Sequence, residues 1–158
     1  MAGAMTQSGD DPSAALAELR SLAESAGGGY ALLTRFQEAA LVAKEGDQEA
    51  AIAIYRKLGS EADDPIYRDL AVVLGAQHQL ASAGSSVDRV ELERTLQPIT
   101  AEDNPWRYSA REIIGILALQ AGDNAKAGEI FSTLATDFRA PQGMRSRAAE
   151  LQAVAEGG

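Results

Sequence analysis

The feature that most constrains this chain is self-similarity at a fixed offset. Gly46-Asp47 returns as Gly122-Asp123, Ala51 as Ala127, Tyr55 as Phe131, Leu58 as Leu134 and Pro65 as Pro141, each pair 76 residues apart. A fixed offset marks a structural unit that is repeated because it cannot bury its apolar face alone and must stack on a neighbour. Half the offset, about 38 residues, suits one helical hairpin. A third, more divergent copy is then expected between the other two, pairing 66–81 with 87–99.

Local patterning is helical throughout. From Tyr30 onward, Leu32, Leu33, Phe36, Ala39, Ala40 and Ala43 recur at the three-and-four spacing that makes one stripe on a helix. Gly46 ends that helix and Asp47 is placed to cap the next, which carries Ala50, Ala51, Ile54, Tyr55 and Leu58. Asp64 can cap a third helix over about 66–81, with Pro65 at its first position, where a missing N–H costs nothing. A turn at 83–86 follows, and Ser85 or Ser86 can cap a helix expected to bury Val90, Leu92, Leu96 and Ile99.

Asp103-Asn104-Pro105 repeats the cap-then-proline start and opens a helix with Trp106, Ala110, Ile113, Ile114, Leu117 and Ala118. Gly122 stops it, and Asp123 starts a helix with Ala127, Ile130, Phe131 and Leu134. After Pro141 comes a last helix with Met144, Ala148, Leu151 and Val154. Residues 12–25 also read as helical, set off by Gly27-Gly28-Gly29. No stretch shows the alternation of a strand, and Ala and Leu supply much of the apolar content. The fold class is all-α.

Charge and composition narrow the function. A net charge of −9, with no dense Lys/Arg cluster, repels a phosphate backbone, so nucleic acid is not expected as a partner. Cysteine is absent, which removes disulfides and thiolate metal sites. No run approaches the ~20 apolar residues of a membrane span. Met1-Ala2-Gly3-Ala4-Met5 reads as a cloning remnant ahead of a truncated natural sequence. The expected organisation is a lead-in over 1–11, an N-terminal helix and Gly hinge over 12–29, and a repeat domain over 30–158.

Within each unit the pattern resembles the tetratricopeptide repeat. A small residue stands seven before the turn glycine, Ala39 before Gly46 and Gly115 before Gly122, and an Ala-x-x-x-aromatic pair follows as Ala51/Tyr55 and Ala127/Phe131. Small residues let the two helices of a hairpin approach, and the aromatic fills the gap to the next one. The resemblance implies a right-handed superhelical stack of about three hairpins with flanking terminal helices.

Over about 30–151 the chain is also similar to one family, the membrane-anchored periplasmic tetratricopeptide proteins that are ancillary subunits of the bacterial Sec translocon. The similarity is carried by Gly29-Tyr30-Ala31-Leu32-Leu33, Glu45-Gly46-Asp47 with Ala50-Ala51-Ile52, Tyr67-Arg68-Asp69-Leu70-Ala71, and Pro105-Trp106-Arg107 with Ser109-Ala110-Arg111-Glu112. It implies a periplasmic domain tethered to the inner membrane by an N-terminal helix this sequence lacks. Translocon subunits, periplasmic chaperones or emerging chains are the implied partners. The alternative is a cytoplasmic tetratricopeptide adaptor with no membrane link.

Little in the chain converges on catalysis, and neither metal nor cofactor is expected. His78 stands alone among Gln77, Gln79 and Leu80 and reads as a packing or surface residue. Asp10-Asp11 and Asp63-Asp64 precede prolines, so capping explains them. Gly27-Gly28-Gly29 follows no strand and lacks a Gly-Lys-Ser/Thr, so it reads as a hinge rather than a phosphate loop. Trp106 is expected to pack between hairpins.

The partner face is expected on the first helix of each hairpin. Its residues are Leu33, Phe36 and Ala40 in one copy and Ser109, Glu112 and Ile116 in the other. Apolar and acidic, that face cannot grip a terminal carboxylate and suits an apolar or basic segment. It is either open or covered by the N-terminal helix through Leu16, Leu19 and Leu22.

Overall fold

The computed structural model describes residues 17, 20, 21, 28–82 and 87–158. The lead-in, most of the expected N-terminal helix with Leu16, Leu19 and Leu22, Gly27, and the possible caps Ser85 and Ser86 lie outside these residues. All regular structure among them is helical. The helices are α1 (Gly28–Lys44), α2 (Gln48–Glu61), α3 (Pro65–Ala81), α4 (Arg89–Leu96) continued by a 3-10 turn (Gln97–Thr100), α5 (Arg107–Gln120), α6 (Asn124–Thr136) and α7 (Gln142–Gly157). Two compact units divide the chain between residues 85 and 86. The two helices of the expected middle hairpin, α3 and α4, belong to different units.

In the first unit, α1 packs on α2 and α2 packs on α3. The core is Ala39, Val42, Ala43, Ala51, Tyr55, Leu58 and Ala71, flanked by Leu32, Phe36 and Ile54. In the second, α5 packs on α6 and α6 on α7 around Tyr108, Ala127, Phe131, Leu134, Met144 and Ala148. Within each unit the repeat therefore covers a run of three helices, with α4 and its 3-10 turn packed on α5 in the second.

The recurring residues build the same joint twice. Gly46 and Gly122 have φ of 97° and 81°, a region open to glycine and strained for other residues. The Gly46 N–H donates to the Ala43 carbonyl and the Asp47 N–H to that of Val42; Gly122 and Asp123 donate in the same way to Leu119 and Ala118. This is the Schellman closure, which satisfies carbonyls at the helix end. The same aspartates then turn to the next helix: Asp47 accepts from the Ala50 N–H at 3.0 Å and Asp123 from the Lys126 N–H at 3.1 Å. One residue thus ends one helix and starts the next.

The small and aromatic positions pack as their spacing implies. Ala51, Ala127 and Phe131 are completely buried and Tyr55 nearly so. An ideal Cβ on Gly115 would lie 2.8 Å from two ring atoms of Phe131, so glycine is what lets α5 and α6 approach this closely.

Several local expectations are corrected. Val90 is 79% exposed. Asp88 rather than an upstream serine caps α4, accepting from the Glu91 N–H, and Leu92 and Leu96, one turn apart, form the buried face from which Val90 is turned away. Val154 is exposed as well. Asp64 accepts from the Ile66 N–H and Pro65 enters the first turn of α3 as expected. Asn104 accepts from the Trp106 N–H at the same offset, but α5 begins only at Arg107, because the Asn104 carbonyl takes the Arg107 N–H and closes a separate turn first.

Candidate functional site

In the first unit the expected interaction residues form a stripe along α1. Leu33 is 53% exposed, Tyr30 and Ala40 are also exposed, and their three- and seven-residue spacing places them on one side of the helix. The sequence stripe of six apolar residues is in fact divided: Ala39 and Ala43 go to the core, while Leu33 and Ala40 face out. Phe36 sits between, half-buried, its ring centroid 6.2 Å from that of Tyr55 and 6.3 Å from that of Tyr67. Tyr67, on the first turn of α3, is exposed and extends the apolar face from α1 across to α3.

The equivalent positions in the second unit have different chemistry. Ser109 is half-buried, and Ile116 is partly buried against the core. Glu112 is buried and receives Arg147 through Nε and Nη2 at 3.2 and 3.3 Å. Its carboxylate is therefore neutralised within the unit, and it offers no free charge to a basic partner. The Arg147 side chain passes Gly143, which stands 76 residues beyond Tyr67. Where the first unit joins its outer helices through aromatic rings, the second uses an ion pair.

A buried carboxylate on α1 places part of the N-terminal segment. Glu38 is 2% exposed and accepts from Arg20 Nε at 2.8 Å and from Arg35 Nη1 at 3.1 Å. Glu38 lies five residues from Leu33, roughly 140° around the helix. The Arg20 contact is thus on a different side of α1 from the Leu33–Ala40 stripe. Ala17 and Ser21, like Arg20, are helical and exposed.

The remaining singled-out residues have structural partners. His78 stacks on Tyr55 with centroids 5.3 Å apart, and its Nδ1 lies 2.8 Å from Gln48 Oε1, tying α3 to α2. Gly28 and Gly29 open α1, Gly28 with φ of 62°. Trp106 is half-buried at the N-cap of α5.

Burial raises the pKa of the Tyr55 phenol above its ordinary value. Three exposed carboxyls are pulled below theirs: Asp137 by the Arg139 backbone N–H and then its guanidinium, Glu102 by a hydrogen bond from Arg111, and Glu91 by one from Arg94. None of these groups lies on the Leu33 stripe. A shallow groove of about 380 Å³ between α6 and α7 is lined by polar residues including Asn124, Ser132 and Gln152, and holds none of the expected interaction residues.

Two contributors escaped the sequence reading. Tyr67 was legible only as part of a motif, since its place beside Phe36 depends on how α3 packs. Glu38 lies outside the apolar pattern, and its partner Arg20 is 18 residues away, so nothing in the local sequence marks it. No family model, curated protein or solved structure matches this chain.

Proposed function

We propose that this chain is a non-catalytic protein-interaction scaffold of tetratricopeptide type, whose partner docks on the α1–α3 face of the first unit. The carrying observation is that Leu33, Ala40 and Tyr67 are exposed beside the half-buried Phe36, while the small-residue and aromatic positions around them are used for packing. Rigid helices presenting an apolar, aromatic face suit an apolar polypeptide segment, with the ring faces as anchors. In the finer reading, the hairpins form a right-handed superhelical stack.

The family resemblance adds place and partners to this proposal. The chain is then the periplasmic domain of an inner-membrane-anchored ancillary subunit of the Sec translocon, and holds translocon subunits, periplasmic chaperones or emerging chains. Among the described residues no helix is long and apolar enough to cross a membrane.

The test is Leu33→Asp combined with Ala40→Asp in the native membrane-bound protein, followed by co-purification of translocon subunits. Both side chains are exposed, so the fold should survive and its melting temperature should stay within a few degrees. Co-purification is expected to fall about tenfold, as loss of an apolar anchor implies. Unchanged recovery with an intact fold would rule the face out.

A further inference from the structure

The turn between α6 and α7 holds a phenylalanine out in solvent. Asp137 Oδ1 accepts from the Arg139 N–H at 3.0 Å, and the Ala140 N–H donates to the Asp137 carbonyl at 3.1 Å. Ala140 is buried in the core of the unit, so the turn is pinned at both ends. Phe138, between them, is 89% exposed. A single exposed aromatic is ordinary on a protein surface. The arginine beside it is not.

Arg145, on the first turns of α7, lies with its guanidinium carbon 5.8 Å from the Phe138 ring centroid. Its Nε is buried without a hydrogen-bond partner; among the described residues only Arg107 Nε shares that condition. Burying an unpaired guanidinium nitrogen is costly, and the cost falls if an anion neutralises the group from its open end. Among the described residues the Arg145 Nη atoms have no hydrogen-bond or ion-pair partner either, and, unlike Nε, they are not fully buried.

Neighbouring arginines are already engaged. Arg111 is bound to Glu102 and the Thr100 carbonyl, Arg139 to Asp137 and Glu102, and Arg147 to Glu112. Arg107 spends its Nη atoms on the Asn104 carbonyl and the Tyr108 hydroxyl. Arg111, Arg139 and Arg147 are thus paired with carboxylates, whereas among the described residues no ion pair involves Arg145.

We propose that Phe138 and Arg145 form a docking site for an acidic–apolar polypeptide segment. A carboxylate takes the two open Nη atoms of Arg145 in the bidentate geometry that suits guanidinium, and an aliphatic side chain packs on the Phe138 ring. Alternate residues of an extended chain are roughly 6.5 Å apart, close to the separation of guanidinium and ring, so Glu-x-Leu is the spacing that fits. A nucleic-acid strand would also find arginine and an aromatic here, but its many phosphates would meet the repulsion of the whole chain, which a segment with few carboxylates largely avoids. This site is in the second unit and does not rest on the function proposed for the first.

The test is fluorescence anisotropy of the whole chain with a short labelled peptide repeating Glu-Ser-Leu-Ser, against one repeating Lys-Ser-Leu-Ser and a labelled oligothymidylate. The acidic peptide is expected to bind about tenfold more tightly than either control and to weaken several-fold as salt rises. Arg145→Gln and, separately, Phe138→Ser are each expected to weaken it about tenfold. Phe138→Ser removes only an exposed side chain, so it remains a fair test if the arginine variant fails to fold; circular dichroism checks both. Absence of binding, equal binding of the basic peptide, tighter binding of the oligonucleotide, or full binding by folded Phe138→Ser would each overturn the proposal.

Discussion

Gly115 and Phe131 are in such close register that a β-carbon on the glycine would sit 2.8 Å from the aromatic ring. Phe131 is completely buried and has nowhere to move. Gly115→Ala should therefore destabilise the second unit despite alanine's better helix propensity. The overpacking costs about 1–3 kcal/mol and the propensity returns about 1, leaving a net loss of up to about 2 kcal/mol. Gly128→Ala is the control, since its Cβ would meet Ala155 only at 3.9 Å; it should raise stability by up to about 1 kcal/mol. Urea denaturation of both variants checks the pair.

Asp47 and Asp123 make the same contacts in the two units. Replacing either by alanine keeps the backbone N–H that closes the preceding helix but removes the cap on the following one. Each substitution should cost about 1 kcal/mol, and the two costs should agree within a few tenths. Clearly unequal costs would show that the joints differ energetically despite their common geometry.

Much of this was legible in the sequence, for a physical reason. Gly46, Asp47, Ala51 and Tyr55 act through backbone conformation, local hydrogen bonds and helical spacing, which a one-dimensional pattern encodes. Where partners are distant in sequence, the pattern was silent. Glu112 looked like part of an acidic groove until Arg147 was found on it, and Phe138 drew no attention because a turn residue gives no periodicity. Val90 was misplaced because a helix of eight residues offers too few turns to fix which side is buried.

Glu38 provides a way to separate the two possible states of the α1 face. Arg20→Ala leaves the buried carboxylate with Arg35 alone. Breaking a buried pair can cost several kcal/mol, but Arg20 is itself more than half exposed and a second arginine remains, so a loss of about 1–2 kcal/mol is expected. Partner binding at Leu33 should be unaffected, because the contact lies on another side of α1. Binding that increases in Arg20→Ala would instead indicate that the N-terminal segment normally obstructs the stripe.

Stability should decline toward both ends of the pH scale. Asp137 and Glu102 have depressed pKa values in the folded chain, so their contribution is present above the unfolded carboxylate range and is lost as pH falls through the folded values. Asp137→Asn should flatten the acid limb. The Tyr55 phenol has a raised pKa, so the folded state retains its proton where the unfolded state has lost it; stability falls as pH rises from the ordinary phenol value through the folded one. Tyr55→Phe should delay alkaline unfolding. Melting temperatures across the pH range read both effects.

The central claim, that the Leu33–Tyr67 face holds a protein partner, is tested most directly by photo-crosslinking from position 33 of the membrane-bound protein in its native membranes, with captured species identified by mass spectrometry. The expected result is capture of translocon subunits, periplasmic chaperones or chains in transit, lost when Tyr67 is changed to aspartate. Capture of only the protein's own N-terminal residues would contradict the claim, since the face would then be filled from within and unavailable to a partner.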